Sequence, residues 1–96
     1  MPLETTKRVY RYRLAAEQGH PKGQLGLGKA YAKGEGVPQD DLLAQMWGSL
    51  ARAQGAETTN VLMEALEIRM SRQQIAIALT MARECHVQNY KDCDQL

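Results

Sequence analysis

Ninety-six residues make one small domain, which buries about two thirds of the surface its unfolded chain exposes and leaves no room for a deep enzyme pocket. Twelve basic and eleven acidic side chains give a net charge of +1, so no global field selects nucleic acid or an anionic membrane. The apolar runs fall far short of the roughly 20 residues a bilayer span needs, and the N-terminus has no hydrophobic signal region. These features lead to an expectation of a chain outside the membrane, cytoplasmic if complete and periplasmic or secreted if excised from a longer exported protein.

The first predicted helix runs from about Thr6 to Gln18 and stops at Gly19, a residue suited to a helix C-terminus. Pro21 fits the first turn of a second helix, which extends to about Lys33 and ends at Gly34-Glu35-Gly36. Val37-Pro38 is an extended entry, and Asp40 is a good N-cap for a third helix reaching about Gln54, before Gly55. A fourth covers about Thr58 to Met70. Ser71-Arg72-Gln73-Gln74 is a capping-box pattern ahead of Ile75, Leu79, Ala82 and His86 at helical spacing, which predicts a fifth helix to about Cys85. The polar remainder, "VQNYKDCDQL", reads as irregular. Nothing alternates with period two and β-branched residues are sparse, so the fold class is all-α.

Glycines in the second helix pose a question, because Gly23, Gly28 and Lys29 match the phosphate-loop pattern G-x-x-x-x-G-K. A phosphate loop needs a strand before it and a Ser or Thr after its lysine; here the preceding residues are helix-like and Ala30 follows. Tyr31 likewise stands where a dinucleotide fingerprint requires glycine. Gly23, Leu27 and Tyr31 instead recur at i, i+4, i+8 with Gly28 beside them, a stripe that lets a neighbouring helix approach closely. No nucleotide or other cofactor is expected.

"LAAEQG" at Leu14 to Gly19 recurs as "LARAQG" at Leu50 to Gly55, 36 residues on, the period of a repeating helix pair. The segment from Gly23 to Gly55, "GQLGLGKAYAKGEGVPQDDLLAQMWGSLARAQG", closely resembles the Sel-one-like repeat (SLR), a relative of the tetratricopeptide repeat. The family pattern falls on Leu27, Gly28, Tyr31, Gly34, Gly36, Val37, Asp40, Ala44, Trp47, Ala51 and Gly55, with Gly23 and Arg52 in place of usual alanines. The resemblance implies a short right-handed α-solenoid of about five antiparallel helices in a single domain, 1–96. Within it, 1–20 is a half repeat, 21–55 a full repeat, and 56–96 a degenerate cap and tail, where "MSRQQIAIALTMAREC" parallels the terminal cap of bacterial members. Such a solenoid implies a scaffold that binds protein or peptide through its concave surface. Gln24, Lys29 and Lys33, the non-signature positions of the second helix, are the expected partner contacts. The first helix lacks the partner that would cover it, so Val9, Tyr12 and Ala16 are expected to expose an apolar stripe through which the chain forms a homo-oligomer.

Other residues carry chemistry that must be weighed. Cys85, His86 and Cys93 with Asp92 or Asp94 offer four zinc ligands, but C-H-x6-C lacks the C-x2-C spacing of a closed structural site. A Cys85–Cys93 disulfide is sterically feasible, and two ordinary thiols are the third reading. The "KRVYRYR" segment interleaves four basic residues with two tyrosines, as RNA-binding surfaces do, yet on a helix Lys7, Arg8, Arg11 and Arg13 spread around the circumference. Some cysteine-rich SLR relatives are linked to β-lactam or cell-wall hydrolysis; this chain lacks their cysteine pair in every repeat and a catalytic S-x-x-K. Ser49, Ser71 and His20 lie in no nucleophile motif, so no enzyme activity is expected.

Overall fold

The computed structural model describes residues 3–56 and 59–94, and among these it is all-helical, with no strand. Five α-helices follow one another: α1 Leu3–Glu17, α2 Pro21–Lys33, α3 Asp41–Ala53, α4 Thr59–Arg69 and α5 Arg72–Val87. Their boundaries have local causes. Pro21 opens α2, and Gly34 closes it in the left-handed region at φ 70°, its N–H donating to Ala30 O at 2.8 Å, where a side chain would add strain. The Asp40 carboxylate accepts from Leu43 N at 3.0 Å, and Ser71 and Gln74 form a complete capping box at the start of α5.

Short connections bring consecutive helices side by side. Helix α2 packs against both α1 and α3, while α3 also packs against α4 and α5, so α3 is the centre of the molecule. Its sequence fits that position: Ala44, Met46, Trp47 and Ala51 are fully buried. Burying side chains of this size contributes about 1.5–3 kcal/mol each for the larger aliphatic and aromatic ones. The body measures 35 × 28 × 27 Å.

The small residues of α2 allow these approaches. A Cβ on Gly23 would lie 2.5 Å from Ala15 Cβ and 2.8 Å from Ala16 N, inside van der Waals contact with the α1 backbone. The segment resembling a phosphate loop therefore lies wholly within a helix, its backbone amides from Gln24 onward committed to helix hydrogen bonds and its glycines to packing.

Three expectations need correction. First, α1 begins at Leu3, about a turn earlier than the sequence suggests. Second, Val9, Tyr12 and Ala16 do not form an exposed stripe. Val9 is 5 % exposed and Ala16 fully buried, while the Tyr12 ring is half-buried against Gly26. The face expected to need a partner is the one that α2 covers, and α1 exposes Leu3, Tyr10 and Leu14 instead. Third, the segment expected to be irregular is still helical at Val87; it is irregular after that, as expected, with Tyr90 and Cys93 packed against the core and Lys91 Nζ donating to Glu17 O at 2.9 Å. Helix α5 itself runs two residues past Cys85, to Val87.

Candidate functional site

Helix α4 rests on α3 and touches α2 only lightly, so one of its faces is bare. Val61 and Ile68, a helical turn pair apart by seven residues, are 77 % and 88 % exposed, and Ala65 lies exposed between them. Between α4 and α2 runs a groove of about 620 Å³, lined by Ala32, Val61, Leu62, Ala65 and Leu66, with Lys29, Lys33 and Arg69 at its rim. Arg69 closes one end, donating to both Asp41 oxygens at 3.1 and 2.6 Å and to Ala32 O at 2.8 Å, so its charge is matched. Lys29 and Lys33 are exposed, and among the described residues neither forms an ion pair. The surface is thus an apolar trough with an uncompensated basic edge.

Gln24, expected beside the two lysines as a contact, is not on this surface. It is fully buried: its amide donates to Ala16 O at 3.3 Å and its carbonyl accepts from Gln54 at 2.7 Å. A buried amide with both ends satisfied ties α1 and α3 to α2, and it is out of reach of any partner.

A second feature was not legible in the sequence. Arg13 from α1, Tyr31 from α2 and Trp47 from α3 all direct donors at the carboxylate of Asp94, in the tail. The Arg13 guanidinium pairs with Asp94 Oδ2 and also donates to Tyr31 Oη at 2.9 Å. Tyr31 Oη donates to Oδ2 at 2.5 Å, and Trp47 Nε1 donates to Oδ1 at 3.2 Å. The Arg13 guanidinium also lies 5.9 Å from the Tyr31 ring centroid. Burial alone would favour loss of the Arg13 charge, but the hydrogen bonds to Tyr31 and Asp94 and the charge of Asp94 outweigh it and raise its pKa. Engaged in this way, Arg13 is not free to serve a basic nucleic-acid stripe on α1.

Burial, reinforced by the Asp94 carboxylate and opposed by Arg13, pushes the Tyr31 phenol up to about 12. The phenol holds its proton more tightly folded than unfolded. It therefore contributes stability that is fully present below the ordinary tyrosine value of about 10 and is lost as pH rises through about 12. Unfolding free energy measured against pH should fall across that window by at most about 1.4 kcal/mol per pH unit, and Tyr31→Phe should flatten the fall. An equally steep fall in the Phe variant would mean that another group is responsible.

Cys85 and Cys93 form a disulfide, with Cα atoms 5.3 Å apart, so neither is a thiolate ligand for zinc. Ser49 lines a second groove, of about 600 Å³, between α3 and α5, with His86, Arg83, Leu79 and Tyr90. Its hydroxyl has no hydrogen-bond partner among the described residues, so His86 does not activate it.

No family model, curated protein or solved structure matches this chain.

Proposed function

We propose that this chain is a non-enzymatic module that binds a protein or peptide, built on a Sel-one-like, tetratricopeptide-like helical array, and that it docks its partner in the trough between α2 and α4. The observation that carries the reading is the coincidence of an exposed apolar strip, Val61, Ala65 and Ile68, with two unmatched lysines along one edge. Apolar residues seven apart on a bare helix face suit another helix laid alongside, and the lysines suit acidic residues flanking its apolar strip.

Capture of partners from lysate of the source cell, compared between the wild-type chain and two variants, tests this. Lys29→Glu with Lys33→Glu, and separately Ile68→Glu, should each weaken the captured complex by about tenfold or more, since one reversed rim charge or one lost apolar anchor is worth of order 1.4 kcal/mol. All three positions are exposed, so the variants should fold as the wild type does. Identical capture by wild type and both variants would remove the trough from consideration.

A further inference from the structure

Three consecutive helices, α1, α2 and α3, each contribute one donor to a single carboxylate. Arg13, Tyr31 and Trp47 are separated from Asp94 by 81, 63 and 47 residues, and together they supply a guanidinium, a phenol and an indole N–H to its two oxygens. Tyr31 is 5 % exposed and Trp47 fully buried, while the side chains of Arg13 and Asp94 are 29 % and 15 % exposed. The donors sit on helices, and the acceptor comes from the irregular tail that follows α5. Without that acceptor the buried indole N–H of Trp47 would lack its partner, and the Arg13 cation would keep only the neutral Tyr31 Oη. The body has a standing demand for an anionic, two-oxygen group at this place.

The segment that meets the demand is held there against its own preferences. Asn89, Tyr90 and Asp92 all have positive φ, at 57°, 64° and 56°. Asn and Asp tolerate this region through local hydrogen bonds, but Tyr does not gain that relief. What restrains the segment is the bond between Cys93, next to Asp94, and Cys85 in the buried face of α5, together with the contact of Tyr90 against Gly19. A tethered group competes with any external one at an effective concentration of order millimolar or more, and cutting the tether removes that advantage.

We infer that Arg13, Tyr31 and Trp47 form a carboxylate-binding site that the chain fills with its own Asp94, and that a carboxylate-bearing peptide takes the site when the tail is released. This site lies apart from the α2–α4 trough and does not depend on that reading. A planar guanidinium beside two neutral donors selects carboxylate over chloride by geometry and charge together.

The full-length Asp94→Ala chain, with its disulfide intact, tests this. Sodium acetate is titrated against sodium chloride of equal ionic strength, following the emission of Trp47, the single tryptophan. Acetate should give a saturable change and raise the melting midpoint by several degrees. Wild type, already filled, and the double variant R13A/D94A should show neither. Two short peptides then separate the sources of the carboxylate. One has an internal aspartate and an amidated end; the other has no acidic side chain and a free terminal carboxylate. Binding of either at least about tenfold tighter to D94A than to oxidised wild type supports the inference and names the source. Should D94A prove incompletely folded, wild type is compared oxidised and reduced, where loss of the tether should raise peptide affinity by a similar factor. The inference is overturned if acetate acts no differently from chloride on D94A, or if a folded D94A and reduced wild type both bind the peptides no better than oxidised wild type.

Discussion

Trp47→Ala is expected to cost about 3–5 kcal/mol of folding free energy, the largest loss of any single substitution considered for this chain. Trp47 is fully buried at the centre of α3, the helix on which α2, α4 and α5 all pack, so the space left behind has no surface side chain to collapse into it. The change also removes the indole N–H that serves Asp94. Domains of this size typically have 5–15 kcal/mol in total, so the variant should unfold at much lower urea than the wild type, or be partly unfolded without urea. Urea titration followed by far-ultraviolet circular dichroism is the measurement, since the variant has no tryptophan emission. Trp47→Phe should cost less, because it keeps much of the ring and loses the donor. A loss below about 1 kcal/mol for the alanine variant would mean that α3 is not the packing centre.

Gly23→Ala sets two effects against each other. Alanine is favoured over glycine within a helix by about 1 kcal/mol, so propensity alone predicts a gain in stability. The added methyl, however, would meet Ala15 Cβ at 2.5 Å, Ala16 N at 2.8 Å and Ala15 C at 3.0 Å. Two of these are backbone atoms, which cannot rotate aside, so α1 must be pushed off α2 and the buried Ala16 and Gln24 contacts loosened. Overpacking of this kind costs about 1–3 kcal/mol and more where backbone must shift, so sterics should win and the net loss should be about 2–3 kcal/mol. Gly28→Ala is the internal comparison. Its nearest atoms are Ala44 O at 3.2 Å and Gly48 N at 3.3 Å, so a displacement of a few tenths of an ångström suffices and the loss should be smaller. A stabilised Gly23→Ala protein, by thermal or urea melting, would show that the α1–α2 interface is looser than described.

The helices were legible in the sequence where a residue with a single conformational role marks an end. Pro21, Gly34, Asp40 and Ser71 each do so, and α2, α3 and α5 begin or end beside them as expected. The start expected at Thr58 for α4 lies outside the described residues. The choice of faces was less legible. Helix α1 carries apolar side chains around most of its circumference, Leu3, Val9, Tyr10, Tyr12, Leu14 and Ala16 among them, so periodicity does not say which side is covered; the position of Gly23 and Gly26 on α2 decides it. Gln24 misled because a polar residue at a non-signature position of the repeat reads as surface. Its burial is tolerable because Ala16 O, which already accepts from Gly19 N at 3.0 Å, takes a second hydrogen bond from its amide, and because the Gln54 amide donates to its carbonyl. The role of Asp94 left no local trace at all, since its partners lie 47 to 81 residues away and a carboxylate near a chain end ordinarily faces solvent.

The pairing of Arg13 with Asp94 also bears on the order in which the molecule assembles. Hairpins such as α1–α2 and α2–α3 close over a handful of residues, at little entropic penalty, whereas a contact spanning 81 positions must wait until the intervening rods have shortened the distance between its ends. A bond of that kind acts as a latch on a finished body: it slows the departure from the native state and does little to hasten arrival there.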